Sequence, residues 1–138
     1  MGKIDWKRVM MGGLLAGLVV NIFEAVSGIL LQEEYKAAMA ALGKTMQESA
    51  AIYYIVYGFI YGIFAVWFYA AIRPRFGAGP RTAVCAGIAV WFIGYLLPLL
   101  GYAANDLFPA NLIAIGCVVG LVETILGTVA GAWLYREA

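Results

Sequence analysis

Apolar residues run along this chain in four blocks. They extend from about Val9 to Leu31, Ala50 to Ile72, Thr82 to Ala104 and Ala110 to Tyr135, and polar residues gather in the gaps. Crossing the hydrocarbon core of a bilayer takes about 20 apolar residues in a helix, so each block is long enough. In lipid, backbone polar groups have to be paired within the segment, which makes helices the expectation. With their flanking turn residues the helices are expected over about 9–31, 46–72, 80–104 and 109–135. The expected fold is all-α: a polytopic membrane protein, an antiparallel four-transmembrane-helix bundle forming one membrane domain over residues 1–138.

The gap from Gln32 to Ser49 carries its own pattern. Tyr35, Ala38, Met39, Leu42 and Met46 recur at helical spacing, while Glu33, Glu34, Lys36 and Lys44 fall mostly off that stripe. This predicts a short outer amphipathic helix over about 33–43, breaking near Gly43. It can be a connector resting on the membrane, the simpler reading, or a lid over an outer opening. Elsewhere the punctuation is plain. Thr45 followed by Glu48 has the spacing of a capping box for the second long helix. Pro74 is expected to stop that helix, Gly79–Pro80 to start the third, and Asn105, Asp106 and Pro109 to mark a turn before the fourth. Pro98 can kink the third helix and free a carbonyl, or simply fit the packing.

Composition agrees with the pattern. Of 138 residues, 64% are hydrophobic and 12% are charged, about half the charge of a soluble domain. Mean hydropathy is +0.89. A net charge of +1 gives no reason to expect a nucleic-acid partner. The chain contains no histidine, which removes histidine general-base catalysis, bis-histidine haem ligation and the usual zinc sites. Cys85 and Cys117 are not a C-x-x-C pair, and each reads as a small buried apolar residue. No catalytic residue, metal site or cofactor is expected, and the chain is not expected to be an enzyme.

Lysine and arginine set orientation. Lys3, Lys7, Arg8, Arg73, Arg75, Arg81 and Arg136 fall on one side, and only Lys36 and Lys44 on the other. Both termini are therefore expected in the cytoplasm. The basic start followed by an apolar run resembles a secretory signal, and Ala25–Val26–Ser27 could pass for a cleavage site. The run continues through Leu31, so a retained first span is expected. The arginines of the RPRFGAGPR loop, Arg73, Arg75 and Arg81, are expected to meet lipid headgroups; a phosphate site is the alternative.

Glycine and acid positions give the candidate chemistry. Gly17, Asn21, Glu24 and Gly28 share a face of the first helix by their spacing. Gly116, Gly120, Glu123, Gly127 and Gly131 do so on the fourth, and Gly87, Trp91, Gly94, Pro98 and Gly101 on the third. Gly13–Gly17, Gly58–Gly62, Gly116–Gly120 and Gly127–Gly131 are G-x-x-x-G pairs, which let helix backbones approach closely in lipid. Helix packing is thus expected at Gly17, Gly28, Gly58, Gly62, Gly94, Gly116, Gly120, Gly127 and Gly131.

Glu24 and Glu123 are the only acids inside the four blocks, and no lysine or arginine lies there. A carboxylate at mid-depth costs about 2.5–3.5 kcal/mol on insertion scales, so both should face protein. Without a cation, such a carboxyl is expected to carry its proton near neutrality. Asn21 should lie level with Glu123. The candidate intramembrane polar site is Asn21, Glu24, Glu123, Thr124 and Tyr61, with Tyr57 and Tyr95 as further hydroxyl sources. Tyr53, Tyr54 and Tyr57, and at the other end Trp67, Phe68, Tyr69, Trp133 and Tyr135, read as interfacial belts.

The run from Trp67 to Ala83, WFYAAIRPRFGAGPRTA, and the closing Gly131–Glu137, GAWLYRE, resemble small four-helix proteins of bacterial inner membranes. The Asn21-x-x-Glu24 pair with its following alanine-rich loop fits the same pattern. The resemblance covers most of the chain and implies that fold and an inner (plasma) membrane location. It carries over no activity. Two functions remain open. One is a helix-packing protein, a self-associating scaffold or accessory subunit of a membrane complex, with the bilayer and copies of itself or a larger complex as partners. The other is a small proton- or cation-linked transporter or channel using Glu24 and Glu123 at an oligomer interface.

Overall fold

The computed structural model describes residues 3–135, and these form helices joined by short turns. Arg136 and Glu137 lie outside the described residues. Asp5 opens α1 (Trp6–Leu30). Its carboxylate accepts the Arg8 N–H at 3.1 Å and meets the Arg8 guanidinium at 3.3 Å, satisfying a donor that the first helical turn leaves open. After a one-residue break comes α2 (Gln32–Ala41), which ends just before Gly43, at φ +69°. Next come α3 (Ala50–Phe76), α4 (Pro80–Trp91), a wide π turn (Phe92–Leu96), α5 (Leu97–Ala104) and α6 (Ala110–Leu134). From α4 to α5 the helix is continuous over 25 residues. With α1, α3 and α6 it makes four helices long and apolar enough to cross a membrane.

Two local expectations are corrected. The capping box is not made: Gln47 Nε2 donates to Thr45 Oγ1 instead, and α3 begins at Ala50 rather than near 46. Pro74 does not stop α3. Proline costs the helix one N–H and a clash one turn back, but the chain runs on to Gly77, whose φ of +86° turns it away while its N–H closes on Arg73 O at 2.8 Å. Pro98 acts through the π turn before it, where the Leu97 N–H reaches back to Phe92 O. The wider turn makes room where the proline ring would otherwise crowd the carbonyl of the preceding turn. Further, Tyr69 and Tyr135, read as belt residues, are buried, whereas Trp133 is exposed as expected.

α1 packs on α3 and α6; α4 packs on α6 and less extensively on α3; α3 also touches α6. Thus α1 and α4 stand on opposite flanks of the α3–α6 pair. The closest approaches run backbone to backbone through glycine. A Cβ on Gly62 would collide with Gly17 N and Gly13 O, and one on Gly17 would lie 2.7 Å from Phe59 Cα. Gly12 and Gly131 each face the other's carbonyl oxygen, and Gly127 lies against Ala16 O. A Cβ on Gly87 would lie 3.0 Å from Ile125 Cα. Gly12 belongs to none of the stripes read from the sequence.

This tight half is closed at its end. The start of α1, the end of α3 and the end of α6 meet there: Tyr135 takes the Asp5 N–H at 3.2 Å, stands edge-on to Tyr69, and has the Arg73 guanidinium 5.6 Å from its ring centre. The other half is open. The last buried residue of α1 is Val20, the first of α3 is Gly58, and none lies between Phe92 and Ala104. Gly28 has nothing within 4 Å of where a Cβ would stand, and Gly116 has only Leu99 at 3.9 Å. These two are therefore corrected as packing positions within the chain: the helices have already diverged at their level.

The contrast sets a test. Gly62→Val overpacks a backbone contact and is expected to destabilise the detergent-solubilised protein by about 1–3 kcal/mol. Gly28→Ala meets open space and is expected to stabilise by about 0.5–1 kcal/mol, the ordinary gain of alanine in a helix interior. SDS-induced unfolding of the two variants measures both; equal effects would contradict the division into a tight and an open half.

Candidate functional site

The candidate site forms where the tight half ends. On α1 the buried stripe Val9, Gly12 or Gly13, Ala16 and Val20 continues one turn on to Glu24, because residues four apart share a helix face. Glu24 is nevertheless exposed. It looks into the space between the helices at the level where they part, rather than outward with Leu14, Leu18, Ile22 and Val26, which form the exposed stripe. On α6, Glu123 is 0% exposed and Thr124 and Thr128 are 1% exposed. The Thr128 hydroxyl is tied to Thr124 O at 2.6 Å, which leaves the Thr124 hydroxyl for a neighbouring helix.

Tyr95, in the π turn, joins the two acids. Its hydroxyl meets Glu24 Oε1 at 3.2 Å and lies against Glu123 Oε1. Glu123 Oε2 is buried and takes no hydrogen bond. Beside this group the Tyr61 hydroxyl pairs with Thr124 Oγ1 at 3.1 Å, and the two tyrosine rings meet edge to face at 5.7 Å. Glycine provides the sockets. The Tyr95 ring lies on Gly120 and the Tyr61 ring on Gly94, where a Cβ would stand 2.5 Å and 2.7 Å from ring carbons. The Trp91 indole N–H donates to Cys117 O at 2.9 Å and fixes the turn of helix that presents Tyr95.

The site thus draws Glu24 from α1, Tyr61 from α3, Tyr95 from the π turn, and Glu123 and Thr124 from α6. Asn21 is not part of it, contrary to the expected Asn21–Glu123 contact. Its Nδ2 donates to Ile55 O at 3.1 Å and its Oδ1 lies against Gly58, so it fastens α1 to α3. Matching depth along the helix pairs Asn21 with Glu123 but says nothing of direction: Asn21 points to the flank that α3 occupies. Tyr95 is the residue that sequence reasoning undervalued. The usable signal was reciprocal, a large ring on one helix at the depth of a glycine on the next, at Tyr95 with Gly120 and Tyr61 with Gly94.

Around the opening, Tyr54, Tyr57 and Tyr61 share a face of α3 by spacing, and the Tyr57 and Tyr61 rings stack at 6.4 Å. α2 turns Tyr35 and Met39 partly inward, with Ala38 buried. Burial, then the nearby Glu24 charge and Tyr54, raise the Tyr35 phenol above its ordinary range. α2 therefore has one residue directed at the mouth of the site, while Leu42 and Met46, expected on the same stripe, are exposed. A separate recess of about 290 Å³ between α5 and the start of α6, lined by Leu99, Phe108 and Ile113, includes neither acid. At the closed end Arg75 and Arg81 are exposed, and Arg73 turns inward to Tyr135. No group of three acids, cysteines or histidines that could hold a metal ion occurs among the described residues.

No protein-family model, curated protein or solved structure matches this chain.

Tyr95→Phe removes the hydroxyl that both acids share. It is expected to destabilise the protein by about 1–3 kcal/mol, the usual cost of stranding a buried polar group. Combined with Glu123→Gln the losses should be less than additive, because both changes dismantle one contact. Strict additivity in a double-mutant cycle, read by unfolding in detergent, would show that the hydroxyl and the carboxyl do not interact.

Proposed function

We propose that the protein is a polytopic membrane protein, an antiparallel four-helix bundle of a bacterial inner membrane with both chain ends cytoplasmic, and that it works as a small proton- or cation-linked transporter. The observation that carries this reading is the asymmetry of the two acids. Glu24 lies on an interior-facing stripe yet is exposed, and it shares one phenol with the fully buried Glu123.

A phenol has one proton to give. Two carboxylates meeting one hydroxyl leave an acceptor unanswered, so the set needs a further proton or a cation to balance. The open side of the site faces the end that bears α2, and the glycine contacts seal the other side. A group that binds from one side and is blocked on the other is the form expected of one state of an alternating carrier. The chemistry requires no bond to be made or broken beyond proton exchange, in keeping with a protein that is not an enzyme.

The distribution of basic residues supports the orientation: Lys3, Lys7, Arg8, Arg75 and Arg81 stand at the closed end, with Lys36 and Lys44 in the connection beyond α1. Arg75 and Arg81, exposed there, would meet anionic headgroups. A second reading, the helix-packing scaffold or accessory subunit, is favoured by Gly28 and Gly116. A second copy of this chain or a larger complex could close on those uncovered positions.

Two measurements test this. Purified protein in liposomes is expected to dissipate an imposed pH gradient faster than empty liposomes, with Glu24→Gln lowering the rate to the empty-liposome value. Rates equal to empty liposomes for gradients of both signs would leave the scaffold reading. For orientation, Lys44→Cys and Arg75→Cys are placed separately in a chain carrying Cys85→Ser and Cys117→Ser. A membrane-impermeant maleimide should label position 44 in intact cells and position 75 only after lysis.

A further inference from the structure

We propose that the ligand of the carboxyl pair is an organic ammonium cation, held between Glu24 and Glu123 against the tyrosine faces of α3; this rests on the ion-linked reading above and names its substrate class. Three observations converge on it. The first is an unanswered acceptor. Glu123 is 0% exposed, yet its Oε2 takes no hydrogen bond, and its other oxygen shares the Tyr95 hydroxyl with the exposed Glu24. A buried carboxyl oxygen left without a partner awaits a donor or a positive charge.

The second is the sign of the surroundings. Each long helix at the pair contributes either an acid or a phenol: Glu24 from α1, Tyr61 from α3, Tyr95 from the π turn and Glu123 from α6, while Tyr35 of α2 feels the Glu24 charge. The nearest basic residue in sequence is Lys36, exposed and paired with Glu33 at 3.1 Å. No lysine or arginine occurs in the apolar stretches of the four long helices at this depth.

The third is the wall. Tyr54, Tyr57 and Tyr61 recur at i, i+3 and i+7 along α3, from its exposed end down to the pair, and Tyr95 closes the row edge-on. Ring faces are electronegative and attract cations that shed water easily, quaternary ammonium groups above all. A hard metal ion is a poor match, because it takes six or more oxygen ligands. The described residues hold no third acid at this place. Charge balance comes from the exchange: as the ammonium group docks, a proton shared by the carboxyls leaves to water, and it returns when the cation departs.

The test uses the full chain in detergent at pH 7.5, with choline as probe and 3,3-dimethyl-1-butanol as its uncharged isostere. Calorimetry in two buffers of different ionisation enthalpy counts the protons released. Saturable choline binding with about one proton released, and no binding of the isostere, is expected from a proton shared by the pair. Glu24→Gln should abolish the binding. Tyr57→Leu, at an exposed ring, should weaken it about 3- to 30-fold, while Tyr57→Phe keeps it within about twofold, since the face and not the hydroxyl attracts the cation. In parallel, the infrared carboxylic-acid band is followed against pH in the wild type and in Glu123→Gln. Absent choline binding, or equal binding of the isostere, in a protein whose carboxyl band still titrates overturns the ammonium assignment and leaves the ion-linked reading intact. A band that does not titrate removes both.

Discussion

Backbone-to-backbone contact between α1 and its two neighbours is the constraint on which the rest of this structure depends. Apolar side chains give little drive for helices to associate when the alternative is lipid. Cohesion has to come from close approach, and Gly12, Gly13, Gly17, Gly62 and Gly131 are where side chains are absent so that main chains can touch. Those contacts occupy only one half of the helix lengths. Everything with chemical character, the two acids, Tyr61, Tyr95 and Thr124, stands at or just beyond the boundary of that half, where a firm floor is available and the cover is not complete.

The interior arrangement also accounts for how two acids can be held so near each other. Each is anchored by its own helix, and the helices are locked together one or two turns away. The cost of bringing the acids together is met by packing elsewhere, and Tyr95 supplies the shared hydroxyl between them. The π turn contributes to this placement. By adding a residue to one turn it rotates the remainder of the helix by about 100° relative to a regular one. Gly87, Trp91 and Gly94 keep their common face, while Gly101, on the same face by regular spacing, ends in open space.

Much of this was legible in the sequence because it rests on length and periodicity. Four apolar blocks gave four helices, and the stripe through Tyr35, Ala38 and Met39 gave the short α2. That Glu24, Glu123, Thr124 and Tyr61 belong to one polar group was readable as well, from the glycine faces that carry the two acids. What escaped rests on direction and competition. Asn21 shares depth with Glu123 but turns to Ile55. The Thr45–Glu48 pair has capping-box spacing, yet the segment before α3 spends its side chains on a different local contact. Pro74 is a helix breaker by propensity, and a surrounding helix that is already packed carries through it. Tyr95 was one of several phenols until the π turn selected it, and no periodicity rule announces an extra residue in a turn.

The closed end has a mechanical meaning. Tyr135, Tyr69, Asp5 and Arg73 knot three helix ends together, and the glycine contacts hold α1 as far as Gly17. Beyond Gly17, α1 is tied to α3 more lightly, through Asn21 and Ile55 O. Gly17 and Glu24 are seven positions apart, so this stretch is a lever about 10 Å long at 1.5 Å per residue. A tilt of about 10° at its base carries the Glu24 carboxyl through about 2 Å, the difference between touching the Tyr95 hydroxyl and losing it.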